Sequence, residues 1–428
     1  GNGRIELTRG ASVAVPADFV GCHVENALPR PEFMKHWRCF EARPVRWYEI
    51  HTASSTYNWT ALDARVAAIG SMPWTYTIWG TPNWASARPS EFHPYGNGLA
   101  AEPASMTNLA NFVTALVTKY PTLTHIEFWN EPDIPTSEPG GWFWYSGSVA
   151  NLVTMASTVR TAAKAVRAGI QIIGPGTVNY ISSPNYLDQA WAAGLDAQLD
   201  GVSIHAYQKQ WSTPYKALLG LFHNHEYMCA SRSRAGLGNT KPMYITETGQ
   251  LNPTAVNTDD ATLIRGYQRV MVAAAALGYK YAAWYTYDGP TFSFEGRRAV
   301  EQAVRDMAAF LPGKTLTNAY IELPEMRVWA DVNGSTYSGE THPLPVNTVN
   351  DNKIFSESYG GRRWLTTIGI IIISTGLLIG GFIKDTIWQD VVIYVFGIFG
   401  GANVLQRGVE AAREVRMPKT AAPSEPQN

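Results

Sequence analysis

The chain predicts an α/β fold: a (β/α)8 TIM barrel with a small strand-rich C-terminal addition and a C-terminal transmembrane helical hairpin. Three observations lead there. Short apolar runs alternate with longer helical segments as far as residue 310, as repeated βα units do. Eight such runs fit into about 300 residues, close to the usual length of a barrel. The first run continues into Gly21-Cys22-His23-Val24-Glu25, with a single glycine, where a doubly wound sheet would usually carry a glycine-rich phosphate loop.

In chain order the predicted strands are 19–24, 45–50, 74–78, 126–129, 170–173, 201–204, 243–246 and 281–285. Helical stretches fall at 61–69, 106–119, 150–168, 184–193, 259–277 and 297–310, with a less regular one at 215–233. The barrel is expected over residues 1–312. Past residue 310 the texture changes to Pro, Thr, Asn and short β-like runs such as 326–329, with Asn333-Gly334 as a hairpin turn. Residues 313–361 therefore read as a short β-rich addition and linker.

Residues 364–383 carry no charge and are long enough to span a bilayer as a helix. The shorter run at 391–405 follows closely, so 362–408 reads as a two-helix membrane hairpin, contacting lipid through 364–405. Gly376 with Gly380 and Gly397 with Gly401 would let the helix backbones approach. Arg362 and Arg363 precede the hairpin, and Arg407, Arg413, Arg416 and Lys419 follow it, which favours both ends on the cytoplasmic side. A large folded domain weakens that rule, and the sidedness stays open. Residues 409–428 read as a basic, disordered tail. No leader is legible at Gly1, so a signal peptide is expected to be absent or removed.

With 34 Lys and Arg against 35 Asp and Glu, the net charge of -1 and the lack of a basic stripe argue against nucleic acid. The 15 Trp and 21 Tyr suit sugar faces, which offer C–H groups to stack on and hydroxyls to hydrogen-bond, although large barrels also use Trp as filler. Cys22, Cys39 and Cys229 show neither metal spacing nor an even count. His223-Asn224-His225 is too close for a helical two-His site, so no metal and no cofactor is implied.

Two strands each end in a carboxylate followed by a breaker. One is His125-Ile126-Glu127-Phe128-Trp129-Asn130-Glu131-Pro132-Asp133 and the other is Met243-Tyr244-Ile245-Thr246-Glu247-Thr248-Gly249. Reactive groups of a barrel sit at the carboxyl ends of its strands. Glycosidic cleavage needs two carboxylates, one to protonate the leaving oxygen and one to attack carbon or activate water. Glu131 and Glu247 are predicted to be that pair. Glu127 and Asp133 flank the acid and are left outside the mechanism.

At Trp129-Asn130-Glu131-Pro132 the chain resembles the clan A retaining glycoside hydrolases, most of all family 39, whose members include xylosidases, iduronidases and bacterial exopolysaccharide hydrolases. The likeness spans roughly residues 17 to 312 and includes Tyr57-Asn58-Trp59 with Leu62-Asp63, Thr81-Pro82-Asn83-Trp84-Ala85-Ser86 and Thr246-Glu247-Thr248. It implies that Glu131 is the general acid/base and Glu247 the nucleophile. An ionised Glu247 would keep Glu131 protonated for the first step; once esterified by the sugar it would let Glu131 ionise and activate water.

The resemblance also implies that Asn130 bonds the sugar 2-hydroxyl and that Arg46, on the second predicted strand, holds Glu247. A salt bridge closing the barrel rim is the rival reading of Arg46. Tyr207 would donate to Glu247 and His205 would line the cleft. Trp284 would floor the subsite where the bond is cut, and Trp84, with Trp79, Trp142 and Trp144, would supply walls. Relatives usually carry a fuller β-sandwich and no membrane hairpin. The expected protein is a membrane-tethered glycosidase, bacterial or phage-encoded, acting on an oligo- or polysaccharide such as a bacterial surface glycan. The alternative is a non-catalytic carbohydrate-binding or structural membrane protein on a disused barrel.

Overall fold

The structure, a computed structural model, describes residues 4–338 apart from 9, 41–43, 139–140, 180–184, 208–215, 250–258, 290–292 and 323–325. The apolar runs at 364–383 and 391–405, the linker before them and the basic tail lie outside the described residues. Among the described residues no helix is long and apolar enough to cross a membrane.

The elements begin with β1 (Arg4–Glu6), β2 (Val13–Ala14), β3 (Val20–His23), β4 (His36–Cys39), α1 (Trp47–Ile50), β5 (His51–Ala53) and β6 (Thr56–Tyr57). They continue with α2 (Thr60–Ile69), β7 (Trp74–Ile78), α3 (Met106–Lys119), β8 (Leu123–Phe128), α4 (Val149–Val166), β9 (Gln171–Thr177), α5 (Tyr186–Ala192) and β10 (Gly201–Ala206). Then come α6 (Lys216–Arg234), β11 (Met243–Thr248), α7 (Asp260–Ala276), β12 (Ala282–Trp284), α8 (Arg298–Phe310), β13 (Thr315–Glu322), β14 (Arg327–Val332) and β15 (Ser335–Ser338).

Strands β3, β4, β7, β8, β9, β10, β11 and β12 close into a parallel barrel, β12 pairing back onto β3. Seven of the eight predicted runs lie on these strands. The run at 45–50 does not: Val45 and Arg46 lead into the single turn α1, where the Glu49 carboxylate accepts the Arg46 backbone N–H at 3.0 Å. The second barrel strand is β4, His36-Trp37-Arg38-Cys39, which pairs with β3 and β7. It has no aliphatic residue to mark it, because the barrel interior it faces is polar.

Alternation along the strands fills that interior. His36 bonds Thr75 at 2.8 Å, Thr75 bonds the Tyr281 hydroxyl at 2.9 Å, and the rings of His36 and Tyr281 stack at 4.0 Å. His125 and Tyr244 complete this lower layer, with ring centroids 5.3 Å apart. Arg38, Glu127, Thr77 and Ser203 form the next layer up. Branched aliphatic side chains more commonly fill such barrels.

The helices bury one stripe against the strands. On α8 the buried residues are Val300, Ala303, Val304, Met307 and Ala308, the three- and four-residue spacing of one helix face. Ser148 and Asp259 cap α4 and α7 by accepting the backbone N–H of Asn151 and Thr262. Helix α7 is buried nearly all round because it touches α6, α8 and β12 and is also covered by β13 and β14.

Those last strands belong to a separate antiparallel sheet, β1-β13-β14-β15, with β2 also on β13. Asn333 (φ 49°) and Gly334 (φ 83°) form its two-residue hairpin, between paired Val332 and Ser335. Residues 4–6 and 13–14, read from the sequence as part of the barrel segment, pair with β13 in this sheet. Both ends of the described chain are thereby joined beside the barrel.

Candidate active site

The site lies at the carboxyl ends of the barrel strands and is organised by Arg38. Its guanidinium is fully buried, and a planar fork of donors needs acceptors on several sides. Glu127, on β8, takes Nε at 2.9 Å and Nη2 at 2.6 Å. The other side of the fork reaches Glu247 through Nη1. Nη2 also lies 3.3 Å from Asn130 Oδ1, and Nη1 is 2.7 Å from His23 Nε2. Burial alone would favour loss of the charge; the two carboxylates outweigh it and hold the guanidinium's pKa above its ordinary value.

Glu127 is equally buried. Thr77 and Ser203 each donate a hydroxyl to it at 2.8 Å, from β7 and β10. Burial pushes its pKa up, but Arg38, then His205, leave it below the usual carboxylate value. The strand between them must come close: a Cβ on Gly176, at φ +60°, would lie 2.8 Å from Glu127 Oε1 and 3.0 Å from His205 Nε2. Glycine is the residue that fits there.

Glu131 follows the end of β8 with φ 42°, a left-handed conformation unusual for a residue with a side chain. Its N–H donates to Gly176 O at 3.1 Å and its carbonyl accepts from Ile134 at 3.3 Å. Asp133, fully buried, fixes the neighbouring loop by accepting the backbone N–H groups of Val178 and Asn179. Sites of this kind, held against backbone preference by surrounding bonds, recur at functional positions.

His205, at the end of β10, bonds Glu131 Oε1 through Nδ1 at 2.6 Å, and the same nitrogen is 3.5 Å from Glu247 Oε2. Burial depresses its pKa, and Arg38 adds to this against the opposing pull of Glu247 and Glu127, so the ring is neutral near pH 7. Its Nε2 lies 3.4 Å from Arg38 Nη2, which can only donate. We therefore assign the proton to Nδ1, so that His205 donates to Glu131. Tyr207 donates its hydroxyl to Glu247 Oε2 at 3.0 Å. One donor atom from each of Glu131, His205 and Glu247 lies within 4.8 Å of the others. Among the described residues this is the group whose spacing could also suit a cation, but Arg38 already brings a positive charge to Glu247.

Glu131, Glu247, Asn130, His205 and Tyr207 thus meet at one point. Other residues singled out from the sequence sit elsewhere. The guanidinium carbon of Arg46 lies over Tyr95 at 4.7 Å and Trp79 at 5.5 Å, and Nη1 reaches the Tyr48 hydroxyl, while the cation bonded to Glu247 is Arg38. Trp284 is buried against Tyr267 of α7, ring centroids 5.1 Å apart, on the outer side of β12. Parity explains the difference: Tyr281 and Ala283 point inward, so the next inward position is Tyr285. Tyr285 packs on the cluster containing Tyr207 and donates its hydroxyl to Glu25 at 2.7 Å.

Trp84 is part-exposed and its indole donates to His51 O at 2.9 Å, beside the β5–β6 hairpin. The indoles of Trp79 and Trp129 both donate to Trp144 O, at 3.0 and 2.8 Å, tying the loop after β8 to the barrel, and Trp142 stands exposed on that loop. Arg38 and Tyr285 escaped the sequence reading as site residues, and Glu127 was seen there but left outside the mechanism. A signal existed for Arg38: it alternates with His36 in a run otherwise made of Trp, Cys and Phe, a setting where a charge must find a partner.

No protein-family model and no curated protein matches the chain. Solved structures do. A glucosidase from Croceicoccus marinus aligns with a TM-score of 0.55 at 13% identity, covering 76% of this chain and 74% of its own. A monomeric β-xylosidase from Caulobacter crescentus gives 0.54 at 14% identity, over 75% and 73%. A GH39 β-xylosidase structure from the same organism gives 0.53 at 14% identity, over 76% and 77%. At these identities the likeness is one of fold: the chain shares the eight-stranded barrel of these proteins.

Proposed function

We propose that the protein is a glycoside hydrolase of the family 39 type that cleaves an oligo- or polysaccharide with retention, through a covalent glycosyl-enzyme intermediate. The observation that carries this is the approach of Glu131 and Glu247, an oxygen of each within 4.8 Å, at the carboxyl ends of β8 and β11. Retaining enzymes keep their two carboxyl groups roughly 5 to 5.5 Å apart, whereas inverting ones leave about 6.5 to 9.5 Å for a water. The shared fold with a glucosidase and with β-xylosidases supports the same reading.

The geometry suggests how each step would run. Arg38 on Oε1 and Tyr207 on Oε2 keep Glu247 ionised and aimed. As the glycosidic C–O bond breaks, a Glu247 oxygen bonds the anomeric carbon and Glu131 gives its proton to the leaving oxygen. Because His205 occupies Oε1 of Glu131, that proton belongs on Oε2. In the second step Glu131, now ionised and still accepting from His205, takes a proton from water. The water oxygen attacks the anomeric carbon and Glu247 leaves as carboxylate. Asn130, held by Arg38, is placed to meet the sugar 2-hydroxyl.

The test is a screen of aryl glycosides and bacterial exopolysaccharides with wild type, Glu131→Gln and Glu247→Ala. Wild type should turn over at least one substrate. Loss of either carboxylate should lower kcat by about 100-fold or more. Undiminished hydrolysis by both variants would overturn the assignment, and binding without turnover by wild type would favour a carbohydrate-binding protein.

The uncharged run at 364–383 supports a further proposal, that the enzyme works tethered to a membrane, on a bacterial surface or on behalf of a phage. Full-length protein should sediment with vesicles and a variant ending before residue 364 should not. Equal recovery of both in the supernatant would dismiss the tether.

A further inference from the structure

Beneath the two mouth carboxylates lies a third, Glu127, that the reaction as described does not use. Its surroundings are unusual for a structural acid. Both of its contacts to Arg38 go to the side of the guanidinium that Glu247 leaves free. Its remaining acceptor capacity is taken by hydroxyls: Thr77 holds Oε2, and Ser203 holds Oε1. The charged and titratable groups facing it are Arg38 from β4, His205 from β10, 4.0 Å from Oε1, and Tyr281 beside β12. Through Arg38 it is linked to His23 of β3 and Glu247 of β11, and through His205 to Glu131.

A guanidinium with one carboxylate partner presents nearly its whole positive charge to that partner. With two, the charge is divided. Resting on the glycosidase reading above, we propose that Glu127 is a positioning residue that acts through Arg38. It fixes the plane of the guanidinium and neutralises most of its charge, so that Glu247 is held in place yet remains able to attack carbon, and Glu131 is able to keep its proton. Without Glu127, Arg38 would stabilise both mouth carboxylates too strongly as anions, leaving a weaker nucleophile and an acid that ionises too early. Arg38 alone would be a clamp; the pair is a clamp of regulated strength.

The prediction has a sign. In the pH profile of kcat/KM the acid limb reports the group that must be ionised and the basic limb the group that must be protonated. Glu127→Gln removes one buried negative charge, which favours the ionised form of both, so both limbs should move to lower pH by on the order of one unit. The activity above neutral pH should fall most. Glu127→Asp, which keeps the charge at shorter reach, should return the limbs toward wild type even if kcat is reduced. A residue that merely packs would lower activity at every pH and leave the limbs in place.

If Glu127→Gln does not accumulate as folded protein, Thr77→Val carries the test. It strips a hydroxyl donor from Glu127, leaves the charge in place, and should move both limbs upward by a smaller amount. Limbs that coincide with wild type in the folded variant overturn the proposal, while activity that survives Glu131→Gln and Glu247→Ala unchanged overturns the glycosidase assignment itself, so the two failures are distinguishable.

Discussion

The residue that decides most at this site is Arg38. A buried charge is tolerated only when paired, and this one is paired twice, with Glu127 and Glu247. Replacing it by methionine keeps an unbranched apolar stem and abandons both carboxylates in a low-dielectric interior. We expect Arg38→Met to destabilise the fold by about 3 to 5 kcal/mol, as breaking other buried pairs does, read as a lower midpoint in urea. Any folded fraction should lose activity with it. A midpoint within error of wild type would mean that Glu127 and Glu247 are neutral in the folded protein. Sequence reasoning found both mouth carboxylates because each stands at the end of a strand and before a breaker, both local signals. The family resemblance put the partner's role on the second strand, and that strand was read at 45–50, so the role went to Arg46, four residues from the helix end at Ile50. Arg38 could not be chosen that way, since its partners lie 89 and 209 residues away in the chain.

Among the elements, those with a regular local pattern were legible. The stripe on α8 and the bounds of β7 follow the sequence pattern, and the Asn333-Gly334 turn follows from the need for positive φ at both positions. Strand β4 was missed because His36 and Arg38 face inward, against the rule that inward means apolar. Strand β12 was found, but Trp284, to which the family resemblance gave a place in the cleft, packs on α7, while Tyr285 reaches the mouth. The sheet of β1, β2 and β13 could not be read locally. Arg4 pairs with Glu322, and nothing within either short run names the other.

For the molecule as a whole, a barrel filled with ionisable groups should be sensitive to acid. Burial depresses the pKa of His23, His36 and His205, and that of His125 falls to about 3. The sign follows directly. Below the ordinary histidine pKa the unfolded chain binds protons that the folded one refuses, so stability is complete above about pH 6.5 and declines as pH falls. For His125 alone the loss by pH 5 is about 2 kcal/mol, and it continues toward its folded pKa. Depressed carboxylates such as Glu127 add their own loss at lower pH still. Thermal melts between pH 7 and pH 4 should show a steadily falling Tm, and His125→Gln should flatten the slope. A Tm independent of pH over that range would contradict the neutral state of these rings.

What the sequence determined by itself was the barrel and the two acids at its mouth, because helical and strand periodicity, breakers and strand-end carboxylates are properties of neighbouring residues. What only the tertiary structure decided was the electrostatics between them. Barrel closure brings β4, β8, β10 and β11 around one guanidinium, and the charge state and aim of each group there depend on distances that no single stretch of chain contains.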